Sequence, residues 1–257
     1  MSRRFILYPY KVASESAHRL KDAFIDAGHK ALIVYPNRSY VCKEGDVVIG
    51  WGCSKQPNWH HTLGKASKVL NLWANIENSI DKKKAFVLFE QGGVRVPERT
   101  TKEITVGVWL GQGSTVVGRH SVRGMKAKGI EIIKNPADFQ ECKLYTKFIP
   151  NTKEFRVYVF QDKIIDVLEK RKENGSNDPG YVRSEENGWV FCRQHVTLPI
   201  DCGIQARKAC KAVGLHFAGV DVLYSKDDHK AYVLETNTCP DIFGTGVKVF
   251  RDAFLNL

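Results

Sequence analysis

Hydrophobic and polar positions follow one another along the chain in short blocks, and each block predicts an element. Residues 4–8 are an apolar run closed by Pro9. After the polar cluster Ala13-Ser14-Glu15-Ser16, the residues Ala17, Leu20, Phe24 and Ala27 recur at helical spacing. Ser14 stands where a cap would begin that helix and Gly28 where it would end. KALIVY (30–35) and DVVIGW (46–51) read as strands. Strand, helix, strand and strand in this order predict a small parallel sheet, with ligands beyond the strand C-termini, at Tyr8, Pro9, Tyr10, Trp51 and Gly52. Trp51-Gly52-Cys53 ends a buried-looking strand and reads rather as plain packing.

Residues 54–75 give a mixed pattern. The adjacent His60 and His61 would face different ways in a helix or strand, so no metal pair is expected of them. A helix over 79–91 is predicted from Ala85, Leu88 and Phe89, with Ser79 or Asp81 as its cap and Gly92-Gly93 as its stop. Strands at 114–118 and 130–133 flank a basic, glycine-bearing loop. Further strands are predicted at 143–150, 154–160 and 163–168. In EFRVYVF (154–160), alternation puts Glu154, Arg156 and Tyr158 on one face and Phe155, Val157 and Val159 on the other. A polar excursion spans 170–188. The amphipathic stretch 200–213 buries Ala206, Ala209, Cys210 and Val213 and ends at Gly214.

The densest chemistry lies in FAGVDVLYSKDDHKAYVLETNTCPDIF (217–243). Two β-rich runs around Ser225-Lys226-Asp227-Asp228-His229-Lys230 read as a hairpin. A turn centred on Asp228 sets Asp221 across from Glu235, with Asn237 on the same face as Glu235. Facing carboxylates in apolar strands repel, so one must be protonated or a cation must lie between them. Two carboxylates and an amide oxygen suit Mg²⁺ or Mn²⁺ better than zinc. An irregular hairpin with its acids in solvent has the same spacing.

The chain has 257 residues, 43% hydrophobic and 26% charged, enough for one large domain or two to three small lobes. No apolar run approaches the roughly 18 residues of a membrane span, and the run in MSRRFILYPY is too short for a signal peptide. Seven scattered cysteines without a CxxC pair suggest reduced thiols and a cytoplasmic protein. The formal net charge of +11 raises nucleic acid as a partner, yet the basic residues are spread out, with no basic arm or zinc-finger spacing. No Walker loop is present.

Taken in order, these pieces resemble the ATP-grasp superfamily of ATP-dependent carboxylate–amine ligases. The likeness is to the branch of glutathione synthases and ribosomal-protein glutamate ligases, including small proteins of this type encoded by bacteriophages. Asp81-Lys82 followed by GGVRVP, the strand VVGR with a loop closing on Lys128-Gly129-Ile130, LYTKFIP, EFRVYVF and VDVLY…VLETN carry the likeness. It implies an N-terminal α/β lobe (1–75) followed by two α+β lobes, a central one with a flap loop (76–143) and a C-terminal one with a metal-binding hairpin (144–257). It further implies ATP binding by Lys82, Arg119, Lys128 and Gly129, and by the hinge segment Tyr145, Thr146, Lys147 and Phe148, which would meet adenine through backbone groups. Arg156 would be catalytic, and Asp221, Glu235 and Asn237 would hold Mg²⁺ or Mn²⁺.

The sequence departs from the family at Met125 and Ala127, where glycines are usual, at Arg119, where lysine is common, and at Cys239-Pro240-Asp241. The implied reaction joins a carboxylate to an amine (of an amino acid, peptide or protein) through an acyl phosphate, in the cytoplasm, or the host cytoplasm for a phage protein. The competing expectation is a non-catalytic ATP- or nucleic-acid-binding module that keeps the fold. Weak nonspecific nucleic-acid binding is expected in either case.

Overall fold

The computed structural model describes residues 3–123, 129–173 and 180–257. Its first sheet is formed by β1 (Arg4–Pro9), β2 (Lys30–Ile33), β3 (Asp46–Trp51) and β4 (Lys68–Leu70), all parallel in the order β2-β1-β3-β4, with α1 (Glu15–Asp26) crossing between β1 and β2. The strand β4, inside the stretch of mixed pattern, is too short to show a period of its own. Ser14 does occupy the cap position of α1, but its hydroxyl makes no cap bond and instead lies 3.7 Å from Cys239 Sγ. Phe5 stacks on Phe24 of α1 at 3.9 Å between ring centres, which fixes the helix against the sheet.

The helix expected at 79–91 is two helices, α2 (Trp73–Ile80) and α3 (Lys82–Gln91). Asp81 separates them. Its extended backbone cannot continue α2, and its carboxylate accepts from the N–H groups of Lys83 (3.1 Å) and Lys84 (3.2 Å) to cap α3.

The central sheet comprises β5 (Arg99–Thr100), β6 (Val116–Arg119), β7 (Ile130–Ile133) and β8 (Leu144–Lys147), antiparallel in the order β5-β8-β6-β7. Helix α4 (Glu103–Gly111), which the sequence pattern did not reveal because it is apolar on nearly every side, packs Val106, Trp109 and Leu110 against Val116 and Tyr145.

The largest sheet contains β9 (Thr152–Phe160), β10 (Lys163–Lys172) and β11 (Trp189–Cys192), followed, after α5 (Ile200–Ala212), by β12 (Phe217–Ser225) and β13 (Ala231–Asn237). Its order is β11-β10-β9-β12-β13, antiparallel throughout. Strand β10 runs past Leu168 to Lys172, so the polar excursion begins later than expected, and β11 pairs back onto it. One face, with Phe155, Val157, Val220 and Val222, packs on Ala206 and Ala209 of α5 and on Phe86 and Phe89 of α3. Thus α2 and α3 share their core with the C-terminal sheet, although they precede the central one in sequence.

The terminal helix α6 (Thr245–Leu255), also not anticipated, closes the other end of the molecule. Phe254 meets Phe24 of α1 at 5.8 Å and Phe160 of β9 at 4.9 Å, joining the first sheet to the last. Trp51 packs in the same core, stacked on Phe217 at 5.4 Å, with its Nε1–H donating to Ser16 Oγ at 3.0 Å. At the end of β4, Asn71 accepts from the N–H groups of His216 and Phe217 (2.8 and 3.3 Å) and donates to Phe217 O (2.8 Å), fastening the first sheet to the start of β12. Among the described residues no helix is long and apolar enough to cross a membrane.

Candidate functional site

Alternation along β9 puts Glu154, Arg156, Tyr158 and Phe160 on the face away from α5. Tyr158 and Phe160 are covered by Phe250 and Phe254 of α6. The charged half of the face remains available for chemistry. There the register places Arg156 opposite Asp221, and Asp221 opposite Glu235, in one row across β9, β12 and β13.

The pairing of Asp221 with Glu235 depends on a bulge. Near the turn, Tyr224 pairs with Ala231, Leu223 with Tyr232 and Val222 with Val233. Continued without a break, that register would set Leu234 against Asp221 and turn Glu235 to the apolar face. Instead the ladder shifts between Asp221 and Val222, Leu234 is the extra residue, and Glu235 joins the row. The turn is therefore not centred on Asp228 as expected, and the bulge makes up the difference.

Each acid in the row has its own side-chain cation, which offsets the expected repulsion. The Arg156 guanidinium grips Asp221 with two bonds, Nε to Oδ1 at 2.7 Å and a terminal nitrogen to Oδ2 at 2.8 Å. Lys82 Nζ, from the first turn of α3, lies 2.9 Å from Glu235 Oε2. Burial opposes ionisation of Glu235, but Lys82, Arg156 and Arg119 outweigh it and hold the carboxyl below its usual value. Burial also works against charge on Arg156, and Asp221 reverses this, raising its pKa. Arg119, at the end of β6, donates to Thr146 Oγ1 at 2.9 Å; burial lowers its pKa, with Glu235 acting the other way. One row on the largest sheet thus receives cations from α3 and from the central sheet.

Asn237 lies two residues beyond Glu235, and its Oδ1 accepts from Cys239 N–H at 3.1 Å. On the other side of the row, Glu154 is buried beside Lys170 at 2.8 Å; burial raises its pKa and Lys170 opposes the rise. The ring of Phe191 lies under both Arg156 (4.3 Å) and Lys170 (4.9 Å). Neither Lys170 nor Phe191 was singled out from the sequence, since β11 has too few residues for a pattern and pairs only through the fold.

The remaining expected residues lie around this centre. Tyr145 is buried between the central sheet and α4, its hydroxyl accepting from Cys142 N–H (2.7 Å) and donating to Gln140 O (3.0 Å). Lys147 Nζ pairs with Glu98 at 3.1 Å. The backbone N–H groups of Lys147 and Phe148 donate to Glu98 O (2.8 Å) and Thr115 O (2.9 Å). Phe148 packs on Tyr181 of the β10–β11 excursion, 5.0 Å between ring centres. Gly129 closes the β6–β7 loop with φ at +71°, its carbonyl accepting from His120 N–H at 3.0 Å. Lys128, Met125 and Ala127 lie outside the described residues. His60 Nδ1 contacts Pro57 O at 3.0 Å.

Chemically, Asp221, Glu235 and Asn237 supply only oxygen, the donor set of a hard divalent cation. Among the described residues no group of three or more His, Cys, Asp and Glu side chains is arranged to hold a metal. A cation here would therefore need the Asn237 amide and oxygens from a ligand or water beside the two carboxylates.

No protein-family model matches the chain, and no curated protein matches it in sequence. Solved structures do match in shape. The ATP-grasp ligase PsnB, complexed with a phosphomimetic variant of a minimal precursor, Mg and ADP, aligns with a TM-score of 0.70 at 14% identity over 98% of this chain and 97% of its own. The D-alanine–D-alanine ligase of Bacillus anthracis aligns at 0.67, with 14% identity over 99% and 93%. The macrocyclase MdnC of Microcystis aeruginosa, bound with the precursor peptide MdnA, aligns at 0.64, with 13% identity over 98% and 99%. The likeness spans all three sheets in one alignment, and the chain therefore has the ATP-grasp fold over its whole length.

Proposed function

We propose that this protein is an ATP- and Mg²⁺-dependent ligase that joins a carboxylate to an amine, with a peptide or protein as one of the two substrates. The observation that carries the reading is the row Arg156–Asp221–Glu235, met by Lys82 and Arg119 from other elements, in a chain with the ATP-grasp fold. Complexes of PsnB and MdnC with precursor peptides support a peptide substrate.

In this reading a substrate carboxylate oxygen attacks the γ-phosphorus of ATP and ADP leaves. The amine nitrogen then attacks the acyl carbon, phosphate leaves and the nitrogen gives up a proton to solvent, forming the amide. Lys82, Arg119 and Arg156 hold the phosphates and offset charge as the phosphoryl group moves, which is most of what phosphoryl transfer asks of a protein. Asp221, Glu235 and Asn237 would hold the cation, which when bound supplies Lewis-acid charge at the phosphate oxygens. Arg156 and Lys82 would turn from the carboxylates to the phosphates as ligands arrive. The hinge segment 145–148 would lie beside the base, with the N–H groups of Lys147 and Phe148 kept by Glu98 O and Thr115 O, and the β6–β7 loop, with Lys128 and Gly129, would cover the phosphates and keep water from the acyl phosphate. These cations give the net charge of +11 a local use in binding a polyphosphate.

The test is release of ADP from ATP, with and without mixed amino acids and peptides, in wild type and Glu235→Gln. Stimulated, Mg²⁺-dependent ADP release that disappears in the variant, with the melting curve kept, is expected. An unaffected variant would overturn the assignment of the metal site, and absence of ATP binding by wild type would overturn the function.

A further inference from the structure

We propose that Ser79 and Thr236 form a positioning pair that aims Glu235 and Asn237 at the divalent cation; the inference rests on the functional reading above. Strand β13 is an edge strand of the largest sheet, so one side of its backbone has no neighbouring strand to hold it. The segment after α3 covers part of that side, with Val233 N–H donating to Arg95 O at 2.8 Å and Arg95 donating to Ala231 O at 3.1 Å. At the site itself the covering residue is Ser79, near the end of α2. Its hydroxyl donates to Thr236 O at 2.8 Å and lies 2.6 Å from Thr236 Oγ1.

Thr236 stands between Glu235 and Asn237 but points the other way. It pairs with Val220 across the sheet, on the face where Val222 and Val233 belong to the apolar core. Thr236 and Ser79 are only 5% and 4% exposed. A valine would fill the same space there without a polar atom to satisfy. Two hydroxyls in such a place must pair with each other, and they do so in one consistent direction: the Ser79 proton goes to Thr236 O, and the Thr236 proton to Ser79 Oγ. The accepting carbonyl belongs to the peptide that joins Thr236 to Asn237. Holding that peptide plane fixes the backbone at Asn237 directly and at Glu235 through Thr236.

The same stretch also grips the strand from the front. Three residues after Ser79, Lys82 reaches round the edge to Glu235 at 2.9 Å. The Lys82 N–H donates to Val122 O at 3.0 Å, so this stretch also touches the stem of the β6–β7 loop. The edge strand is held between Ser79 behind and Lys82 in front. Lys82 must let go when a cation takes Glu235, whereas Ser79 need not. Ser79 is then what holds the open side of the strand at Thr236 during the exchange.

The experiment measures binding of Mn²⁺ in the presence of ADP, by loss of the free Mn²⁺ resonance signal, for wild type, Ser79→Ala, Thr236→Val and Glu235→Gln. No turnover is required. Supporting residues of this kind alter metal affinity by about ten-fold or more, and that weakening is expected for Ser79→Ala at unchanged ADP affinity. Amide exchange at Glu235–Asn237 should quicken in the same variant. Thr236→Val, which keeps the backbone bond and the volume, should show a smaller weakening, and Glu235→Gln should lose the site. If Ser79→Ala binds Mn²⁺ like wild type while Glu235→Gln does not, the positioning role is overturned and the functional reading stands. If Glu235→Gln also binds like wild type, or wild type does not bind, the functional reading fails and this inference with it. Should Ser79→Ala melt early, Thr236→Val decides, and wild-type Mn²⁺ affinity and exchange in that variant would overturn the pair.

Discussion

Arg156 and Asp221 form an enclosed ion pair in the candidate site, with side chains 13% and 7% exposed. Removing one member of such a pair leaves the other charge buried alone, which typically costs about 3–5 kcal/mol. Arg156→Met should therefore lower stability by roughly 3 kcal/mol, because the carboxylate of Asp221 loses both of its charged bonds. A divalent cation can replace the missing charge. Melting of Arg156→Met should rise on adding Mn²⁺ by more than melting of wild type does, and an equal rise in both proteins would count against Asp221 as a cation ligand. In the described structure the side-chain cations Arg156 and Lys82 occupy the Asp221–Glu235 row.

At the scale of elements, the short break between α2 and α3 sets the direction of Lys82. Asp81 caps α3 through Lys83 and Lys84, and also faces Arg123 Nε at 3.5 Å, while the Arg123 guanidinium bonds Glu77 of α2. Loss of such a cap generally costs about 1 kcal/mol. For Asp81→Ala a stability loss of about that size is expected by denaturant titration. ADP release should fall more than this implies, since fraying of the first turn of α3 moves Lys82 away from Glu235. Wild-type turnover in a measurably destabilised Asp81→Ala would separate the cap from the site. The bulge at Leu234 acts at the same scale, since one extra residue decides which face of β13 carries Glu235.

For the molecule as a whole, the joint between the first sheet and the largest one is Asn71 with His216. Asn71 N–H donates to His216 Nδ1 at 3.1 Å, which requires that nitrogen to carry no proton. Burial lowers the His216 pKa in the folded protein. The unfolded chain, with an ordinary histidine near about 6.5, then binds a proton more readily than the folded one. Stability from this joint is complete above that pH and is lost as pH falls from there toward the lowered folded value. His216→Gln should flatten the pH dependence of the melting temperature below about pH 6.5, and an unchanged slope would remove His216 from the account. Trp51 stacked on Phe217 and Phe254 on Phe24 fasten the same two parts without any dependence on pH.

The sequence by itself determined the elements with a clear period and the chemistry they carry. The strand Asp46–Trp51, the helix α1, the alternation in EFRVYVF and the acids of the last hairpin are all local patterns, written in residues a few positions apart. The resemblance of these pieces to ATP-grasp proteins was legible for the same reason, and the shape agrees. Tertiary structure decided what depends on distant partners. Strands β4 and β11 are too short to announce themselves and exist because a neighbour pairs with them. Ser14 looks like a cap in sequence, but Cys239, more than two hundred residues on, stands beside its hydroxyl. The facing of Asp221 and Glu235 could be guessed from spacing, yet it is the bulge that achieves it. The row's balance of charge comes from Lys82 on α3, Arg119 on β6 and Arg156 on β9, which lie close only after α3 and the central sheet have packed against the largest one, because attraction between charges depends on distance in space and sequence spacing does not record it.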